Sequence, residues 1–375
     1  MNKYLRHILF FLVLMLNNFF SNATHIVGGE LNYRWIGGND YEIRLSVYRD
    51  CINGVPPFDN PISIGIFNSV DSLVNVTYNY TGFYPDPYYN ASPPYYNNAT
   101  FNNNVYGFLI HPHDSATVPN TITSPCVIPP SNICYRVCHY IDTITLPPIP
   151  GGYHLVYERC CRNFSIVNIV DPLNTGATYD AWIPAAPNNY DSNPIFNALP
   201  STYICVNEPF VFDHSATDPE GDSLVYQLCT PLDGASPAQP MPQPPFNPPN
   251  PPVTWQPPYN PGNVFGGVPL TINPTTGLLT ATPNGTGQFV YAICVLEYRN
   301  GVLIGETRRD FQVNIVVCQN ITVSAFLTPT VSCGNYTVSF TNGSSGASTY
   351  YWNFGDPTTL GDTSHAFAPS YTYPD

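Results

Sequence analysis

Proline fills 42 of 375 positions, about every ninth residue. A ring that fixes φ and removes a backbone donor cannot recur so often inside helices of ordinary length. The chain is steered toward strands and turns, for which its Tyr, Phe, Val, Ile and Thr supply the strand formers. Charged residues make up only 10%, but 14% aromatic residues give the strands a core to build. The reading is all-β, and the length suits two or three domains.

The first residues read MNKYLRHILFFLVLMLNNFFSNAT. Lys3 and Arg6 precede the apolar run Ile8–Leu16, and Ser21-Asn22-Ala23 offers a small-x-small cleavage site. That predicts a secretory signal peptide over 1–23 rather than a membrane anchor, because the run is short for a bilayer. The mature protein is expected to be exported, secreted or at the cell surface, with no membrane insertion. Without the leader the chain keeps nine Arg, no Lys and 25 acidic residues, a net charge of −16. Such a surface repels nucleic acid and anionic lipid and attracts divalent cations. Nucleic-acid binding is excluded as a function.

In an exported chain, cysteines are read first as disulfides. Six precede residue 170: Cys51, Cys126, Cys134, Cys138, Cys160 and Cys161. Four more, Cys205, Cys229, Cys294 and Cys318, lie in a second block, and Cys333 is left over. Even counts predict that each block closes its own bridges, with connectivity open. Vicinal Cys160 and Cys161 are expected to pair elsewhere, since adjacent residues reach bonding geometry poorly.

Along the chain, ELNYRWIGGNDYEIRLSVYRDC predicts a hairpin around Gly37-Gly38-Asn39-Asp40. Tyr41, Ile43, Leu45 and Val47 take one face; Glu42, Arg44, Ser46 and Tyr48 take the other, half-buried. Residues 75–106 turn Asn-, Tyr- and Pro-rich without a periodic face, which predicts a long surface insertion. Its Tyr88, Tyr89, Tyr95 and Tyr96 are candidates for stacking on a sugar or contacting a partner. Strand signals return from 133 to 170, and YDSNPIF near 190 reads as a boundary. In the next block SPAQPMPQPPFNPPNPPVTWQPPYNP is expected to be an extended polyproline loop. The expected domains are a β-rich disulfide domain over 24–190, a β-sandwich over 191–319, and a short segment over 320–375. Strands at this spacing suggest tandem Ig-like β-sandwiches.

Three stretches carry family resemblances. YYWNFGDPTTLGDTSHAFAPSYTYPD resembles the PKD (polycystic kidney disease) domain through Trp352, Phe354, Gly355, Asp356, Pro369, Thr372 and Tyr373. The resemblance implies an incomplete copy over 320–375, in which Cys333 would pair with a cysteine further on. DPEGDSLVYQL followed by LTINPTTGLLTATPNGTGQFVYAICV resembles cadherin-like, immunoglobulin-type bacterial domains, whose acidic turn can bind calcium. THIVGGELNYR, YERCCRN and CVLEYRNGVLIGETRRDFQVN together resemble the N-terminal region of large secreted Bacteroidota surface proteins with PKD repeats and a gliding-motility-associated sorting domain.

Calcium takes six to eight oxygen ligands, with carboxylates supplying charge. Asp218, Glu220 and Asp222 are the candidate metal ligands, and Glu297 or Asp310 would complete the shell if the fold brings them near. The plain alternative is a polar turn, since Asp, Pro and Gly all favour one. His111-Pro112-His113-Asp114 is expected to be a solvated loop. No nucleophile-elbow, zincin or phosphate-loop motif occurs. Glu30, Glu158 and Glu297 are the glutamates a glycosidase reading would test. The expected function is a non-catalytic, adhesin-like surface protein of modular build that binds an extracellular glycan or cell-surface protein, or acts as a spacer, in gliding or attachment. The alternative is a secreted carbohydrate-active enzyme or its accessory module.

Overall fold

The computed structural model describes residues 26–52, 54, 57–74, 107–119, 127–128, 130–199, 201–320, 324–332, 336–344, 346–347, 349–359 and 361–374. The expected signal peptide and the whole tyrosine-rich stretch 75–106 lie outside them. The chain forms two compact units, Met1–Asn120 with Asn132–Val316, and Thr121–Ser131 with Val317–Asp375.

The first unit is built from β1 (Ile26–Gly37), β2 (Asp40–Asp50), β3 (Ile62–Asn68), β4 (Phe108–Ile110) and β5 (Pro112–Val118). There follow β6 (Tyr135–Thr145), β7 (Tyr153–Arg159), β8 (Ala177–Ile183), β9 (Tyr203–Cys205) and β10 (Phe210–Asp213). The last are β11 (Ser223–Cys229), β12 (Val268–Ile272), β13 (Leu278–Thr282), β14 (Gly287–Arg299) and β15 (Val302–Val316). The largest sheet runs β11-β14-β15-β1-β2-β6-β5, with β9 added parallel to β15. A second sheet runs β4-β3-β7-β8, and β10-β13-β12 makes a third. The class is all-β, as the proline density requires.

Period-two alternation places Tyr41, Ile43, Leu45 and Val47 of β2 in the core. There they meet Ile62, Ile64 and Ile66 of β3, Leu155 and Tyr157 of β7, and Tyr179 of β8. The hairpin is more buried than its sequence predicts. Tyr48, expected on the half-buried face, is fully covered and packs edge-on against Phe311 at 5.2 Å. His113 lies in an edge strand, β5, not in a loop, with proline at the strand's first residue, where no ladder donor is needed.

The expected boundary at 190/191 is not a boundary in the fold. Strands β11, β14 and β15 come from the second expected domain, yet β15 pairs with β1 of the first at Gly28↔Phe311 and Gly29↔Asp310. Glycine makes that approach feasible. A Cβ on Gly28 would lie 2.5 Å from the Asp310 carbonyl oxygen, and one on Gly29 2.7 Å from the Tyr179 ring. Two buried ion pairs reinforce the junction. Arg309 reaches Glu30 at 2.8 and 3.1 Å, and Arg162 reaches Asp310 at 2.5 and 3.2 Å. Arg162 also donates to the carbonyls of Gly176 and Leu232.

Bridges join Cys51 to Cys134 and Cys229 to Cys294, and Cys205 and Cys318 are also disulfide-bonded. Two expectations are corrected. Cys160 and Cys161 bond to each other across a cis peptide, which brings their Cα atoms to 3.0 Å, rather than pairing elsewhere. Cys138 is a buried thiol, not half of a bridge, with its Sγ 4.0 Å from the His139 carbonyl oxygen. Cys126 and Cys333 lie outside the described residues.

In the second unit β16 (Phe326–Ser332), β17 (Thr337–Asn342) and β18 (Ser370–Thr372) form an antiparallel sheet. Phe340 sits 5.7 Å from Trp352 and 5.4 Å from Phe354, which stacks on Tyr371 at 4.6 Å. Tyr371 donates to Asp356, and Tyr373 to the Phe354 carbonyl. The W-x-F-G-D stretch and the terminal tyrosines thus share one aromatic cluster.

Candidate cation site

The turn 218–222 closes locally, with the Asp222 amide donating to Asp218 Oδ1 at 2.7 Å and Gly221 at φ +84°. It delivers Asp222 to the start of β11, beside the end of β14, where Ser223 pairs with Tyr298. Glu297 projects from β14 between Leu224 of β11 and Gly305 of β15. Gly305 leaves the room, since a Cβ there would stand 3.0 Å from Glu297 Oε2.

A third segment, 190–193, docks along β1. The Tyr33 and Trp35 amides donate to Asn193 Oδ1 and Ser192 Oγ at 3.0 and 3.1 Å. This places Asp191 against the other two carboxylates, with one oxygen accepting from the Tyr33 hydroxyl at 2.6 Å. Arg299 donates to the other Asp191 oxygen at 2.6 Å and binds Asp222 through Nε and Nη2.

Asp191, Asp222 and Glu297 each offer an oxygen within 4.8 Å of the others. Oxygens sharing one calcium ion at 2.3–2.6 Å stand no more than about 5 Å apart, so the spacing suits a single ion. Glu297 is fully buried, and neither of its oxygens receives a hydrogen bond. Asp218 Oδ2 is likewise buried without a donor. Burial pushes the Glu297 carboxyl up to about 10, and the field of Asp191, a hydrogen bond from the protonated carboxyl to Asp191 and the field of Asp218 push the same way. Burial raises Asp191 too, against the lowering by the Tyr33 hydroxyl. Ionised Glu297 is therefore unfavourable here unless a cation joins it; otherwise it keeps a proton.

Of the three ligands the sequence suggested, the fold brings Asp222 into this cluster. Asp218 lines the turn beside it. Glu220 turns to Ser192, accepting from its amide and hydroxyl at 3.1 and 3.0 Å. Of the two residues considered for completing the shell, Glu297 arrives and Asp310 goes to Arg162. Asp191 was missed because its only signal was an acid in a tract that reads as a linker.

The glycosidase candidates part company. Glu30 pairs with Arg309, Glu297 sits in the acidic cluster, and Glu158 holds the proline-rich insertion. His111 contacts Asn60 at 2.6 Å and His113 contacts Asp114 at 3.0 Å. Tyr88, Tyr89, Tyr95 and Tyr96 lie outside the described residues. Comparison with protein-family models, curated proteins and solved structures found nothing that matches this chain.

Proposed function

We propose that this chain is an exported surface protein that acts by binding rather than catalysis, and that calcium held by Asp191, Asp222 and Glu297 braces its first unit. The observation that carries the reading is Glu297, a fully buried carboxylate whose two oxygens have no donor and which faces two further carboxylates. Leaving such a charge uncompensated costs several kcal/mol. Calcium suits the set better than magnesium, because it tolerates irregular geometry and takes most of its ligands from protein oxygens. The ion would clamp three segments far apart in sequence and stabilise only the folded chain. A calcium-braced first unit would suit adhesin-like attachment to a glycan or cell-surface protein, in line with the family resemblances.

The test is thermal melting of the full chain in calcium, in magnesium and in EDTA, beside Asp191→Asn and Glu297→Gln. At a hundredfold excess over Kd, calcium should add about 2.7 kcal/mol. For a unit of this size that is a rise of roughly 5 °C or more. The rise should vanish in Asp191→Asn. Identical melts of the parent protein in calcium and EDTA would sink the cation and leave the proton.

A further inference from the structure

We infer that a cleft on the outer face of β7 and β8 is a sugar-binding subsite that takes one pyranose ring against Trp182. The inference rests on the reading of the chain as a binding protein and gives that reading a location. The cleft measures about 140 Å³ and is lined by His154, Val156, Asp180, Trp182, Pro248 and Glu306, with Ala181 beneath.

Its floor is set by strand register. His154 of β7 pairs directly with Trp182 of β8, and Val156 with Asp180. Side chains two apart on a strand share a face, so both pairs lie on the face opposite the core residues Leu155 and Ala181, with Val156 itself covered. Trp182 is 37% exposed. It is fixed in place rather than loose. Its Nε1 donates to the Gly151 carbonyl at 3.2 Å, and His154 meets it edge-on at 5.6 Å.

The opposite wall is polar. Arg308 lies between two half-exposed carboxylates, 2.8 Å from Glu306 and 3.7 Å from Asp180. The buried Asp180 Oδ1 and Arg308 Nε face each other across that 3.7 Å ion pair without a hydrogen bond. A cleft with one flat aromatic wall and a rim of donors and acceptors matches a ring with one apolar face and hydroxyls at its edge. An ammonium ligand would also favour Trp182 and carboxylates. It fits less well, because the Arg308 guanidinium already supplies the positive partner to both acids.

The experiment is saturation-transfer NMR on the full chain. The probes are methyl glycosides of glucose, galactose, mannose, N-acetylglucosamine and xylose, with n-butylammonium chloride as the cationic comparison. Each is run in calcium and in EDTA, so that failure of the brace and failure of the cleft are read separately. Saturable binding of at least one glycoside is expected. It should weaken about tenfold or more in Trp182→Ala and in part in Trp182→Phe, with melting temperatures unchanged. Asp180→Asn, which leaves the ring in place, should shift the preference among the glycosides. Three outcomes overturn the inference: no glycoside binds, binding survives in Trp182→Ala, or only butylammonium binds.

Discussion

Glu158 gives the fold a titratable latch on the proline-rich insertion. It sits on β7 at the same outward parity as His154 and Val156, and is 1% exposed. Its carboxylate accepts from the Phe246 amide at 3.2 Å and from Asn250 at 2.5 Å, on either side of the Pro248 that walls the cleft. Burial lifts its pKa to about 7 from an ordinary 4.5, against those two hydrogen bonds, and Asp233 adds a smaller push upward. A folded pKa above the unfolded one means that the folded chain holds an extra proton between the two values. The contribution is therefore fully present below pH 4.5 and is lost as pH rises through 7. Two and a half units at about 1.4 kcal/mol each give roughly 3 kcal/mol. The perturbation is Glu158→Gln, which keeps the shape and removes the titration. Urea unfolding of both proteins at pH 4.5, 6 and 8 isolates this group, because every other titration cancels in the difference. The variant should gain roughly 3 kcal/mol on the parent protein between pH 4.5 and 8. A difference that stays flat across that range would refute the reasoning and mean that Glu158 titrates alike in the folded and unfolded chain.

Two further predictions concern the junction of β1 with β15. Asp310→Asn strips the counter-charge from the buried Arg162 and should cost about 3–5 kcal/mol in urea unfolding. Replacing both partners, Arg162→Met with Asp310→Leu, should restore much of that loss; equal loss in the single and double variants would count against a charge-based penalty. Gly28→Ala pushes a methyl into the Asp310 carbonyl and should cost about 1–3 kcal/mol, whereas an unchanged unfolding midpoint would show that the two strands can separate freely.

What the sequence made legible was local. Alternation over 41–48 gave β2 its inward face, because period two depends only on neighbours. What it hid was pairing at long range. Gly28 meets Phe311 across most of the unit, and YDSNPIF read as a linker because its polar residues have no local partner. Their partners are Tyr33, Trp35 and Arg299 on other strands. The acidic cluster was half legible for the same reason. Asp222 lies in a recognisable turn, but Glu220 two residues earlier points to Ser192, and only the fold decides between them. The Trp182 cleft depends on a β7–β8 register and on Pro248 from an insertion, neither of which a pattern of residue types specifies.

Charge scarcity explains why one cluster should remain uncompensated. Beyond residue 23 the chain has nine arginines for 25 acidic residues. Arg309 and Arg162 are each committed to one buried carboxylate, Glu30 and Asp310, where the fold cannot spare them. Arg159 binds Asp59 at 2.7 Å, and Arg308 serves Glu306 and Asp180. Arg299 alone faces Asp191 and Asp222, and both are already its partners when Glu297 arrives from β14. A third carboxylate in that space has no guanidinium left to meet it. On the proposed reading calcium would supply the missing charge; without it, Glu297 keeps a proton.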